Sequence, residues 1–127
     1  MIGLPSSVRI YVATSPVDLR KGHDGLIAMV KRAFDESAYS GHLFVFLSQR
    51  CDRVKILWWD RGGFVVYYKR LEKGRFMRPP DPSETSRVTL TPAELSDLLE
   101  GIDLRKAKRT KLWEPGTQKT IDKRDPV

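Results

Sequence analysis

The sequence predicts a single α+β domain: an antiparallel β-meander sheet packed by two α-helices, followed by a flexible basic C-terminal tail. Three observations predict it. Runs rich in branched and aromatic residues, Leu43–Leu47, Val54–Trp59 and Phe64–Tyr68, follow one another in quick succession. Two other segments space their apolar residues as helices do: Leu26, Ile27, Val30 and Phe34 in one, Leu95, Leu98 and Leu99 in the other. Beyond Leu104 charges dominate and large apolar residues are few, the composition of a chain that cannot bury a core. The 127 residues suffice for one core without disulfide or metal support, so the expected division is a domain over 1–104 and a basic tail over 105–127.

Taken in order, Val8–Val12 alternates apolar residues as a half-buried strand should, and Thr14-Ser15-Pro16 breaks it. Asp18–Gly25 is polar with two glycines and reads as a structured loop; Asp24 is the expected N-cap of the first helix, which runs to Phe34. The Tyr39-Ser40-Gly41 turn ends that unit. Leu43–Leu47 is apolar on both faces, as a central strand covered on two sides must be. The next two strands are joined by Asp60-Arg61-Gly62-Gly63, whose glycines are expected to supply the positive φ of a hairpin. Arg70–Pro82 is basic, then proline-rich, and should leave the sheet as a solvent-facing loop. After a short strand at Val88–Leu90, Thr91-Pro92-Ala93-Glu94 combines a capping threonine, proline at the first helical position and the glutamate of a capping box. Gly101 is the expected helix stop.

The net charge of +7 is segregated along the chain. Residues 1–49 carry a net +1, residues 50–78 a net +6, residues 79–104 a net −5 and residues 105–127 a net +5. A local positive field draws polyanions, of which nucleic acid is the commonest inside a cell. Arg50, Arg53, Lys69, Arg70, Lys73, Arg75 and Arg78 are interleaved with aromatic residues, the pairing that serves phosphates and unstacked bases together. Solubilising the surface is the other use of such charge, and Trp58, Phe64 and Tyr68 are expected to fill the sheet core. Gly22-His23-Asp24-Gly25 has the GxxG form with which KH domains grip a backbone, but it follows a strand and carries an acid. Arg20 and Lys21 before it remain candidate phosphate contacts.

Signatures of catalysis are sparse. His23, His42 and the single Cys51 match no zinc spacing, and no cofactor motif is present. Asp18, Asp24 and Asp60 could in principle hold divalent metal for phosphodiester cleavage, yet each has a local use in a turn, a cap or a hairpin. The expectation is therefore a non-enzyme without metal. No apolar run approaches the roughly 20 residues of a membrane span. The opening Met1-Ile2-Gly3-Leu4-Pro5 lacks signal-peptide character, so cytoplasm and no membrane partner are expected.

Asp18-Leu19-Arg20-Lys21-Gly22 followed by Asp24-Gly25-Leu26 resembles the opening motif of the TnpB accessory proteins, the products of the second open reading frame of insertion sequences of the IS sixty-six type. Gly41–Phe46, Lys55–Asp60 with Lys69–Glu72 and Gly74–Phe76, and Leu90 through Asp103 resemble their later motifs, so the likeness spans roughly residues 1–105. Cys51 departs from it, standing in a turn where relatives are richer in arginine. The resemblance implies a role in transposition beside a separate, larger transposase that carries the strand-transfer active site. The expected partners are accordingly DNA and that transposase, with oligomeric state left open. Three functions remain at this point: a DNA-contacting accessory, an adaptor that docks on the transposase through the acidic 79–104 region, and a metal-dependent nuclease.

Overall fold

The computed structural model describes residues 5–80, 85 and 87–101. The elements are β1 (Ile10–Ala13), α1 (His23–Phe34), one 3₁₀ turn (Ala38–Ser40), β2 (Leu43–Leu47), β3 (Arg53–Asp60), β4 (Gly63–Arg70), β5 (Arg87–Leu90) and α2 (Pro92–Leu99). They form a five-stranded sheet in the order β4-β3-β2-β1-β5 with two helices, the α+β class the sequence predicts. The tail expected over 105–127 lies outside the described residues.

β2, β3 and β4 are the antiparallel meander, and β5 pairs antiparallel with β1. The pairing of β1 with β2 is parallel, Ile10 opposite Leu43 and Val12 opposite Val45, which makes the sheet mixed. Parallel neighbours need a long crossover, and the stretch holding α1 supplies it. Both strands consequently finish at the same end of the sheet.

Strand alternation sorts the core onto two faces. Tyr11, Ala13, Phe44, Phe46 and Leu57 face Leu26, Val30 and Phe34 of α1. Ile10, Val12, Leu43, Val45, Leu47, Val54 and Ile56 face Leu95 and Leu98 of α2, together with Phe76 from the loop after β4. All five residues of β2 are buried, as its two-sided apolar sequence requires. Arg87 locks edge strand β5 to the end of α1: its guanidinium donates to the Phe34 carbonyl at 3.0 Å and to Glu36 at 2.8 Å, and lies 4.3 Å from the Tyr11 ring centroid.

Local chemistry sets most boundaries. The Thr91 hydroxyl accepts the Glu94 amide at 3.1 Å, and the Glu94 carboxylate accepts the Thr91 amide at 2.9 Å, completing the expected capping box. Gly101, at φ 84°, follows α2 as anticipated. The hairpin differs in detail. Asp60 pairs with Gly63, so Arg61 (φ 44°) and Gly62 (φ 87°) are the two positive-φ residues of the loop, and Gly63 belongs to β4. The start of α1 also differs from expectation. Gly22 is the N-cap with no side-chain capping bond, and Asp24 sits inside the first turn, where its charge favours the helix dipole. Gly25 has a steric reason: a Cβ there would stand 2.9 Å from the Lys21 Cβ.

Candidate nucleic-acid interface

The parallel strands β1 and β2 end beside the start of β3, and the chain segments leaving them build the candidate site. After β1, buried Val17 and Leu19 alternate with exposed Pro16, Asp18 and Arg20, so the loop is pinned by its apolar residues and turns its charges outward. The Val17 amide donates to the Leu47 carbonyl at 3.0 Å, which fastens this loop to the end of β2.

Between β2 and β3, Ser48–Asp52 forms a tight turn. The Cys51 amide donates to the Ser48 carbonyl at 3.0 Å, and the Arg53 amide donates to the Ser48 hydroxyl at 3.2 Å. Cys51 takes a left-handed backbone, φ 59°. The loop after β4 clasps this turn from the other side. The Leu71 amide donates to the Asp52 carbonyl at 2.8 Å and the Phe76 amide to the Cys51 carbonyl at 2.6 Å. Buried Phe76 anchors that loop in the α2-side core.

The turn is thereby a ridge between two open clefts. One, about 790 Å³, is lined by Arg20, Arg50, Arg53, Lys55 and Tyr68, with Asp18 and Asp52 as its lining acids among the described residues. The other, about 500 Å³, is lined by Gln49, Arg50, Asp52, Gly74 and Arg75. Arg50 borders both.

Each predicted contact can now be placed. Arg20 is engaged by Asp18: its Nη2 lies 2.7 Å from Oδ2 and its Nε donates to Oδ1 at 3.0 Å. That hydrogen bond, reinforced by the Arg20 amide, holds the Asp18 carboxyl well below the usual carboxylate range. Lys21 is exposed, lies over Gly25, and offers its carbonyl to Lys55 Nζ at 2.9 Å. The side chains of Arg50, Arg53, Lys73 and Arg75 are exposed and make no hydrogen bond or ion pair among the described residues.

Arg53 stands opposite Arg70 across the β3–β4 ladder. Like charges facing each other on a sheet are unfavourable, and only Arg70 is answered, by Glu72 at 3.0 Å.

Two predicted contacts have structural partners instead of open surroundings. Lys69 Nζ donates to the Leu99 carbonyl at 2.8 Å, satisfying the C-terminal end of α2. Arg78, expected on a solvent-facing loop, turns inward. Its Nη2 donates to the Ser48 carbonyl and lies against Cys51 Sγ, both at 3.2 Å, while its Nη1 is buried with no partner among the described residues. The Leu71 and Phe76 amides hold the loop against the turn, which brings Arg78 within reach of the Ser48 carbonyl and Cys51.

Two cleft residues were not anticipated. Lys55 sits mid-strand on the α1 side of the sheet, where the alternation with Val54 and Ile56 was the available signal. Tyr68 was expected in the core but is 50% exposed. It lies on edge strand β4, outside the α1-side core that Phe64 and Val66 of the same strand pack against, and the Lys55 ammonium is 5.2 Å from its ring centroid.

The acids proposed for metal chemistry do not converge. Asp60 ends β3 at the opposite end from Arg53, about 23 Å along the strand. Asp24 belongs to α1, and Asp18 to its pair with Arg20. Among the described residues no group of three or more His, Cys, Asp or Glu side chains is placed to hold a metal ion. His42 accepts the Arg9 amide on Nδ1 at 3.0 Å, and no described helix is long and apolar enough to cross a membrane.

Comparison with known proteins agrees with this architecture's sequence motifs. The family profile described as IS66 Orf2 like protein matches residues 8–109. An uncharacterized protein of Sinorhizobium fredii (strain NBRC 101917 / NGR234), y4jC, is 40% identical over 115 residues, covering 91% of this chain and 97% of that protein. A second from the same strain, y4hO, is 37% identical over 114 residues, covering 88% and 96% respectively. No solved structure matches significantly. The chain therefore belongs to the IS66 Orf2-like family, and with it to the accessory proteins associated with transposition of insertion sequences.

Proposed function

We propose that this protein is a non-catalytic accessory of transposition that grips the phosphate backbone of nucleic acid with the arginines around the Ser48–Asp52 ridge. The observation that carries this reading is the uncompensated charge there. Arg50, Arg53 and Arg75 border the two clefts without an ion-pair partner among the described residues, and Arg53 faces a second arginine across the sheet. Fixed cations gathered on a concave surface are suited to polyanion binding, because each phosphate neutralised releases condensed counterions. Arg50, Arg53 and Arg75 act as the principal contacts. Arg20 and Lys21 extend the surface across the loop before α1. Lys73 and Arg70 widen it, and Lys69 and Arg78 keep its framework in shape.

Contacts of this kind position a protein on its DNA and carry little sequence information. The transposase of the same element remains a partner in this reading, and the strand-transfer chemistry is assigned to that separate protein. The test is a salt titration of binding between the purified chain and labelled duplex carrying the element's terminal repeat, with scrambled duplex as control. The expected result is binding that falls steeply with salt and is nearly equal on the two duplexes. Absence of binding at low salt, with a transposase pull-down that survives nuclease treatment, would replace this reading with that of a protein-binding adaptor.

A further inference from the structure

The contrast between Tyr68 and the aromatic cluster at the turn end of its hairpin points beyond backbone gripping. Tyr39, Trp59 and Phe64 pack on one another at centroid distances of 5.0–5.2 Å. Tyr68 has no aromatic neighbour within the described residues and is half exposed in the wall of the larger cleft. Its ring is not loosely placed. Lys55, its partner across the ladder, lies 5.2 Å from the ring centroid, and the Lys55 ammonium is itself held by the Lys21 carbonyl at 2.9 Å. The cleft thus offers an oriented aromatic ring in its wall, with Arg53 and Arg50 also among its lining residues.

We infer that the cleft takes an unpaired stretch of nucleic acid, with one base stacked on Tyr68 and neighbouring phosphates on Arg53 and Arg50. This rests on the phosphate-binding reading above and narrows its ligand. In a duplex the faces of each base are covered by its neighbours, so a ring inside a concavity gains nothing from it. An unstacked base offers a free face of matching chemistry, and aromatic rings interleaved with cations are the usual means of holding single strands. Unpaired DNA and RNA share this chemistry and are separated by the test.

The experiment uses the full chain and fluorescence anisotropy with labelled oligo-dT, oligo-U and a duplex, each of about 16 nucleotides per strand, the upper end of common single-strand site sizes. The wild type is expected to bind oligo-dT or oligo-U more tightly than duplex. Tyr68→Ala is expected to weaken single-strand binding by about five- to a hundredfold while changing duplex binding less than about twofold. Tyr68→Leu, which keeps bulk without a π-face, should behave as Tyr68→Ala does, and Tyr68→Phe should bind as the wild type does. Tighter binding of oligo-U than oligo-dT would keep the inference and assign it to RNA. Equal effects of Tyr68→Ala and Tyr68→Leu on single strand and duplex, or no effect on either, would overturn it while leaving salt-dependent binding intact. Failure of the wild type to bind any of the three would overturn the phosphate-binding reading as well.

Discussion

The two ends of the β3–β4 hairpin use the same pair of strands and the same sheet face in opposite ways. At the turn end, Trp59 pairs with Phe64 and both are met by Tyr39 from the 3₁₀ turn, so three rings satisfy one another. At the open end, Arg53 pairs with Arg70 and Lys55 with Tyr68; Lys55 is held by the Lys21 carbonyl and Arg70 by Glu72, while the Arg53 side chain has no partner among the described residues and Tyr68 is half exposed. Internal partners make the first end a stability element. Their shortage at the second leaves a charged surface whose partner must come from outside. Favourable contacts within the chain and readiness for a ligand are alternatives at the level of individual side chains, and this hairpin separates them along its length.

Substitutions can break this division or sharpen it. The largest expected effect is from Phe76→Ala, which removes a fully buried ring that anchors the loop clasping the Ser48–Asp52 turn. A loss of about 3–5 kcal/mol in denaturant unfolding is expected, with nucleic-acid binding reduced too, because the ridge loses its backing. Trp59→Ala should cost about 2–3 kcal/mol, less because the ring is only half-buried, and leave binding unchanged below the unfolding transition. Reduced binding with unchanged stability in that variant would contradict the division of labour.

Two arginines within two residues of the same anchor sharpen it further. Arg78→Ala should destabilise by about 1–2 kcal/mol, since it strips the Ser48 carbonyl and Cys51 of their guanidinium. Arg75→Ala should stay within about 0.5 kcal/mol of the wild type and act on binding alone. Thermal melts run beside anisotropy separate the two outcomes.

The smallest expected effect is an improvement. Asp18→Asn keeps an acceptor for the Arg20 amide but removes a negative charge from the cleft and frees the Arg20 guanidinium. Affinity at low salt should rise about two- to fivefold, a gain that fades as salt screens the cleft. The pH dependence follows from the lowered Asp18 carboxyl. A carboxylate depressed by folding contributes stability that is whole above its unfolded value of about 3.9 and is lost as pH falls through the folded value. Because the folded carboxyl stays charged below that value, the affinity advantage of Asp18→Asn should hold from neutral pH to below about 4 and shrink only as pH falls through the lowered folded value.

Much of this fold was legible because local chemistry decides it. Thr91-Pro92-Ala93-Glu94 starts a helix by capping alone, and the two-sided apolar run of β2 can only be a central strand. Position within the sheet was not legible. Nothing in the period of β1 or β2 states that they pair in parallel, and the exposure of Tyr68 follows from its place near the open end of edge strand β4, past Phe64 and Val66, which pack against the α1-side core. The site was half legible for the same reason. Charge placement marked Arg20, Arg50, Arg53 and Arg75, which the folded chain brings to two clefts on one ridge. It could not mark Lys55, whose role depends on a cross-strand partner, nor show that Arg78 turns inward, since that is settled by the hydrogen bonds of a neighbouring turn.

The most direct test of the central claim is the salt dependence of nucleic-acid affinity for the wild type beside the triple variant Arg50→Ala, Arg53→Ala, Arg75→Ala. Three lost phosphate contacts should flatten the plot of log affinity against log salt by about 2.7 units on duplex or about 2.1 on single strand, with thermal stability unchanged. An identical slope in a folded triple variant would contradict the claim that this ridge is where the protein holds nucleic acid.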